Sequence, residues 1–412
     1  MTVLPSSLTP ITVCLERMQQ QAAQCAVQLA IEVVALDQAL GRICAAPIQS
    51  SIAVPPLDNS AMDGYACRVQ DVQLGQAYVV VGVCYAGQAP QQLLSGQILR
   101  IFTGAPIPIG ADAVVMQENT HTSRLNQISI EQLPRVGDNI RRAGQDIQQG
   151  QVVLPVGTRL GAAEIGLLAS IGAAEVKVYR RLRVSVLATG DELVSVGQPL
   201  AVGQIYNSNA PLLVSLLRQL GCELVTIAQV PDQPDILKQA LLAAAQTSDL
   251  ILTSGGASVG DADHLKPVLQ HIGAIEQWKV AIKPGKPLVW GRVDSAEVST
   301  PLIGLPGNPQ SVWVTFLVLA LPYIKRYQGQ TEQLQPISIP VAAGFSRTKP
   351  QNRTEYLRVR LQDGQLIPHA NQSSGVLSSA VWADGFAVID IGQTLEVGEP
   401  VQFLPFSGLL GG

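Results

Sequence analysis

The residues best equipped for chemistry lie at 249–267, DLILTSGGASVGDADHLKP. An apolar run there ends in Ser254-Gly255-Gly256, where the backbone can bend sharply and turn its N–H groups outward. Asp261 and Asp263 follow, then a predicted helix from Leu265 that holds Pro267 in its first turn. Strand, glycine turn, carboxylates and helix start form the layout of phosphate and metal sites in α/β proteins. A plain turn with Asp263 as helix cap accounts for the same residues, so neighbouring loops must decide.

Four more loops follow apolar runs in the same way: Thr189-Gly190-Asp191-Glu192, Pro231-Asp232, Lys283-Pro284-Gly285-Lys286 and Pro306-Gly307-Asn308-Pro309. On an open α/β sheet the carboxyl ends of the strands line one edge, and ligands bind there. Glu192, Asp232 and Asp263 are expected to gather at that edge, with Asp191 and Asp261 close by. Two carboxylates about 4 Å apart repel by about 4 kcal/mol at an effective dielectric near 20. Such a cluster needs a cation or raised pKa values. Oxygen ligands without His or Cys suit Mg²⁺. Lys279, Lys283 and Lys286 add positive charge, and Gly255, Gly256 and Gly307 give backbone access. That equipment suits a phosphorylated substrate or an oxyanion. No serine has a histidine partner in a nucleophile motif, and His264 reads as a polar contact at a helix start.

Several kinds of element must position these loops. Strands at 184–188, 223–230, 249–253, 278–282 and 301–305 alternate with helices at 209–220 and 234–246 and after 309, predicting a parallel sheet covered on both faces. Asn209 is the expected cap of the first of these helices and Gly221 its stop. An amphipathic helix begins near Thr12, and a second helix spans 161–171 and ends at Gly172. If the two pack together, the β-rich region between them is an insertion. That region shows short β runs at 78–83, 97–102, 113–116 and 127–130. It also holds the polar loop PPLDNSAMDGYA at 55–66, with Asp58, Asn59, Ser60 and Asp63, and the turn Thr103-Gly104-Ala105-Pro106. After 328 the pattern is β again; EYLRVR at 355–360 alternates with period two, and only the polar loop 371–375 suggests chemistry.

At 412 residues the chain needs several domains, and 47% hydrophobic against 14% charged residues describes a well-buried globular protein. A net charge of −4 gives no general attraction to nucleic acid or an anionic membrane, so an anionic ligand requires a local basic patch. The six cysteines show no C-x-x-C pair and no zinc spacing, which fits reduced thiols in a cytosol. The N-terminus lacks a basic-then-apolar leader and no apolar run reaches about 18 residues, so a cytoplasmic location is expected.

Taken together, DNSAMDGYA at 58–66, TGAP at 103–106, RRAGQD at 141–146, TGDEL at 189–193, TSGGASVGDAD at 253–263, WKVAIKPGKP at 278–287 and LPGNP at 305–309 resemble the molybdopterin molybdenumtransferases of the MoeA and gephyrin E-domain type. The motifs run in the family's order and cover nearly the whole chain. The resemblance implies a multidomain α/β plus β fold. Its parts are a split helical linker domain (1–47 and 145–181), an inserted β domain (48–144), a three-layer α/β molybdopterin-binding domain (182–328) and a C-terminal β-barrel-like domain (329–412). It implies insertion of molybdate into adenylylated molybdopterin with Mg²⁺, release of AMP and formation of molybdenum cofactor.

By the same resemblance, Asp63, Thr103, Glu192, Asp232, Asp263, Lys279 and Lys283 are expected to be catalytic, with Glu192, Asp232 and Asp263 also holding the metal. Ser254, Gly255, Gly256, Ser258, Lys286, Pro306, Gly307, Asn308 and Pro309 are expected to bind the substrates, Pro306 and Pro309 shaping the molybdate pocket. His264 stands where the family often has Tyr, and Ser373-Ser374-Gly375 matches only loosely. Family members are homodimers whose cleft joins the α/β domain of one chain to the inserted β domain of the other, so Asp63 and Thr103 are expected to face the partner chain's carboxylates. A molybdopterin adenylyltransferase or molybdoenzyme chaperones are the protein partners it suggests. A rival reading is adenylyltransferase activity itself, which the flanking β regions and DNSAMDGYA oppose; a scaffold role like that of gephyrin is another.

Overall fold

The structure is a computed structural model that describes residues 8–124, 126–256, 264–295 and 298–410. Contacts divide the chain into two units, one of Met1–Ala45, Val156–Gly161 and Val176–Gly412, the other of Ala46–Pro155 and Ala162–Glu175.

The larger unit is built on a six-stranded sheet. Its order is Glu223–Val230, Arg183–Thr189, Leu250–Ser254, Ser299–Leu305, Pro287–Asp294 and Gly273–Lys279. The first four strands are parallel and the last two antiparallel to their neighbours. The wholly parallel sheet and the strand at 278–282 are therefore corrected. The short connections on either side of Pro287–Asp294 leave no room for the crossover that a parallel neighbour requires. Two reversals nevertheless return the end of Gly273–Lys279 to the edge where Ser299–Leu305 ends, so the lysine loop reaches the expected edge.

Leu250–Ser254 is buried at every position, as an unbroken apolar run in a central strand demands. Its side chains alternate between two cores. Leu250 and Leu252 pack with Leu213 and Leu217 of helix Asn209–Gln219, and with Val312, Phe316 and Leu317. Ile251 packs instead with Leu241 of helix Pro234–Thr247 and Leu269 of helix Leu265–Ile272. The amphipathic helix Ile11–Ala26 buries Ile11, Leu15, Met18 and Ala22 in the first of these cores, together with Leu321 and Tyr323 of helix Leu321–Tyr327.

In the same unit Thr354–Gln362, Gln365–Pro368, Ile339–Ala343, Pro400–Pro405 and Gly385–Ile389 close into a barrel, because the last strand also pairs with the first. Ile282–Lys283 leaves the α/β layer and pairs with Thr354–Gln362, setting Lys283 opposite Glu355. The alternation at 355–360 does not give one wet face: Glu355, Tyr356, Leu357, Arg358 and Val359 are all buried.

The smaller unit carries helix Ala162–Ser170 and a six-stranded sheet ordered Ala113–Met116, Gly64–Cys67, Ile98–Ile101, Ala77–Cys84, Gln127–Ile130 and Thr120–Arg124. Cys67, Ile98 and Ile130 anchor one core, and Ala66, Leu99 and Val114 another. A Cβ on Gly64 would come within 2.0 Å of the Val115 carbonyl oxygen, so only glycine lets these strands pair. None of the six cysteines, all among the described residues, is joined in a disulfide. No helix among the described residues is long and apolar enough to cross a membrane.

Candidate functional site

Two adjoining clefts of opposite character open at the carboxyl edge of the α/β sheet. The larger encloses about 550 Å³ and is lined by the loops after the parallel strands, including Thr189, Gly190, Glu192, Asp232, Ser254, Gly255, Gly256, Pro306, Gly307, Asn308 and Pro309. Five loops singled out by their residue types thus contribute to one edge, and four of them to one cavity.

The strand ends set this cleft's shape. Gly255 has φ +89°, and a Cβ there would sit 2.3 Å from the Thr189 carbonyl oxygen, so the turn requires glycine. Asn209 does not cap its helix; Ser208 occupies that position, and the Asn207 Oδ1 accepts the Ala210 N–H at 3.1 Å. Asn209 instead donates its amide to the Ser254 hydroxyl at 2.9 Å and to the Gly307 carbonyl at 2.7 Å, tying two cleft loops together. Its Oδ1 and the Thr189 Oγ1 are buried in the cleft wall with no hydrogen-bond partner among the described residues. Buried polar atoms without partners are uncommon, and these two offer contacts to a polar ligand.

Electrostatically the cleft is acidic. Burial, then the negative charge of Asp191, pushes the Asp232 carboxyl above its ordinary range, and Glu192 adds to the rise. The Asp191 Oδ1 accepts the Asp232 N–H at 3.0 Å, which fixes the two loops beside each other. Glu192 is exposed. Asp261, Asp263 and Ser258 lie outside the described residues. Among the described residues no group of three His, Cys, Asp or Glu side chains is placed to hold a metal ion.

The second cleft encloses about 480 Å³ and shares Pro287, Asn308 and Ser311 with the first. Lys283, Lys286, Arg347, Arg353 and Arg358 line it, with Glu355 as its carboxylate. Lys283 Nζ meets Glu355 Oε1 at 2.5 Å, and Arg347 Nε lies 3.6 Å from Oε2. Arg358 is 1% exposed, and among the described residues its guanidinium hydrogen-bonds only neutral groups: Nε donates to the Ser379 hydroxyl at 3.2 Å and Nη2 to the Ser373 carbonyl at 3.1 Å. Burial pulls its pKa down to about 10. A buried cation without a carboxylate is costly, and an incoming anion relieves that cost. Residue types point to Lys283, Lys286, Asn308 and the loop 371–375 here but not to the arginines: Arg358 lies within strand Thr354–Gln362, and Arg347 and Arg353 belong to no motif. The available signal was charge at Glu355 and Arg358, registers whose neighbours two residues along, Leu357 and Tyr356, are buried. Lys279 ends its strand half-buried and lines neither cleft.

In the smaller unit the Asp63 Oδ1 accepts both the Thr103 N–H and the Thr103 hydroxyl at 2.7 Å. These two bonds, the backbone one first, hold the Asp63 carboxyl below its ordinary range. Asp58 binds Arg142 Nη1 at 2.6 Å and the Ala143 N–H at 2.8 Å, so the two polar loops and RRAGQD form one ordered surface.

Comparison with known proteins covers most of the chain. Residues 11–172 match the family described as MoeA N-terminal region (domain I and II), 185–326 the probable molybdopterin binding domain, and 340–406 the MoeA C-terminal region (domain IV). A molybdopterin molybdenumtransferase of Haemophilus influenzae is 42% identical over 91% of this chain and 94% of its own length. One from Nostoc sp. is 39% identical over 88% and 86%. The crystal structure of the molybdopterin biosynthesis protein moea from Pyrococcus horikoshii, 31% identical, covers 98% of this chain and 100% of its own with a TM-score of 0.78.

Proposed function

The chain belongs to the molybdopterin molybdenumtransferase family, and on that premise we propose that it inserts molybdate into adenylylated molybdopterin, releasing AMP and molybdenum cofactor in an Mg²⁺-dependent reaction. The observation that carries this reading is the pair of adjoining clefts, one with excess carboxylate and the other with an unneutralised buried guanidinium. We assign the adenylylated substrate to the larger cleft and molybdate to the basic one.

Glu192, Asp232 and Asp263 would hold Mg²⁺. The raised carboxyl of Asp232 beside Asp191 and Glu192 reflects the repulsion that a hard cation relieves, so the donor set fits the ion. When bound, Mg²⁺ supplies charge neutralisation at the pyrophosphate link. The chain's own residues do the rest. The turns at Ser254-Gly255-Gly256 and Gly307-Asn308 present backbone and hydroxyl groups to the pterin and phosphate, and Ser258 would add its hydroxyl. Lys283, Lys286 and Arg358 offset the charge of molybdate, while Pro306 and Pro309 shape the larger cleft rather than the basic one.

Asp63 and Thr103 complete the site from a second chain of a homodimer, on this reading, and the enzyme works in the cytoplasm alongside an adenylyltransferase and molybdoenzyme chaperones. The test is AMP release from adenylylated molybdopterin. Release that needs both molybdate and Mg²⁺ supports the assignment. Adenylylated product formed from molybdopterin and ATP by this chain alone would replace it with the adenylyltransferase reading.

A further inference from the structure

The cleft assigned to the adenylylated substrate has carboxylates but no cation of its own. Among the described residues that line it are Glu192 and Asp232, and no lysine or arginine. The adenylyl link is negatively charged, and arginine and lysine are the side chains that stabilise such a link. The surface around Asp63 holds one ready. Arg100 of strand Ile98–Ile101 pairs directly across from Tyr65 of Gly64–Cys67. Its Cζ lies 4.8 Å from the centre of the Tyr65 ring and 4.9 Å from that of Phe102, two residues along. Tyr85 extends the row, stacking on Phe102 at 5.3 Å and 12°. Aromatic faces hold a guanidinium in place and use none of its N–H groups. Nη2 donates to the Gln117 Oε1 at 2.5 Å; among the described residues Nε and Nη1 form no hydrogen bond, and Arg100 forms no ion pair with a carboxylate. Asp63 is close by: after the Thr103 contacts, the charge of Arg100 also helps hold its carboxyl below the ordinary range. Both Thr103 bonds fall on Oδ1, which leaves the Asp63 Oδ2 without a hydrogen bond among the described residues.

Resting on the reading that Asp63 and Thr103 complete the site from a second chain, we infer that Arg100 enters with them and binds the phosphate of the adenylyl link. The aromatic clamp sets the guanidinium before substrate arrives, so little side-chain freedom is lost on binding. Its two free nitrogens can meet two phosphate oxygens in the bidentate manner that a lysine cannot reproduce. The acidic cleft then receives its protein cation from the partner chain, and a chain without its partner lacks it.

Steady-state AMP release by the full chain, with added AMP as inhibitor, tests this. Arg100→Met should lower kcat/KM for adenylylated molybdopterin by about 10–100-fold and weaken inhibition by AMP in step, with the KM for molybdate and the Tm unchanged. Mixed with Asp232→Ala chains it should regain activity, and mixed with Asp63→Ala chains it should not. Arg100→Lys keeps the charge but loses the planar fork, and should lose several-fold in the same ratio. A normal kcat/KM in either variant overturns the inference while leaving the molybdenumtransferase reading standing. A lowered Tm with unchanged inhibition by AMP makes Arg100 structural and also overturns it. Full turnover in Asp63→Ala removes this surface from the site, and the inference falls with that reading. The lysine variant decides by itself, so a misfolded Arg100→Met cannot leave the inference undecided.

Discussion

The two clefts differ in how their charge is arranged, although Pro287, Asn308 and Ser311 line both. In the acidic cleft, loops bring Asp191, Glu192 and Asp232 together and the strain appears as a raised Asp232 carboxyl. In the basic cleft, a barrel strand holds Arg358 rigidly in the interior and the strain appears as a guanidinium pKa pulled down to about 10. Each arrangement is unfavourable until a ligand of opposite charge arrives. The difference is that loop carboxylates can move apart, whereas a strand-borne arginine cannot. Cation affinity should therefore be adjustable, and anion geometry fixed.

Substitutions can break this contrast. The largest effect is expected from Glu192→Gln and Asp232→Asn, each lowering turnover by about 10²–10³-fold with circular dichroism and solution mass unchanged. Near-normal turnover in both would remove the cation from the acidic cleft. Arg358→Met should raise the KM for molybdate by about 30-fold or more while Tm stays level or rises, because a buried charge without a carboxylate is replaced by a packed apolar chain. A fall in Tm alongside an unchanged KM would make Arg358 structural. Asp63→Ala and Asp232→Ala should each be inactive, and a mixed heterodimer of the two should regain activity if each site draws on both chains. No regain would confine the site to one chain.

A smaller effect tests the sheet that carries both clefts. Asp249 is bound by Arg180 at 2.6 and 2.8 Å and by the Arg183 N–H at 2.8 Å. Burial would raise its carboxyl, but the Arg180 and Arg183 contacts outweigh it and hold the group below its ordinary 3.8. A lowered folded pKa gives stability that is full above the unfolded value and is lost as pH falls through the folded one. Asp249→Asn should cost about 1–3 kcal/mol at neutral pH, and the gap should close as the medium is acidified below about 4. Urea midpoints across that range provide the measurement, and a gap independent of pH would contradict the charge account.

Much of the acidic cleft was legible in residue order, because strand ends, glycine turns and helix starts are local features. Glu192, Asp232, Ser254, Gly255, Gly256 and the 306–309 turn line it as their positions after strands require. The burial of Leu250–Ser254 follows from its unbroken apolar run, whereas the closed barrel was expected from the family resemblance and not from alternation. Three things were not legible. The antiparallel turn of Pro287–Asp294 depends on connection length rather than composition. The role of Asn209 depends on Ser254 and Gly307, both remote in sequence. The basic cleft depends on Ile282–Lys283 crossing to the barrel and pairing with Glu355, a long-range choice that no local pattern encodes.

The claim that molybdate enters through the basic cleft is tested most directly by AMP release measured against molybdate concentration in Arg358→Met. The account predicts a much higher KM for molybdate, with binding of adenylylated molybdopterin unaltered. Saturation at the same molybdate concentration as the unaltered protein would contradict it.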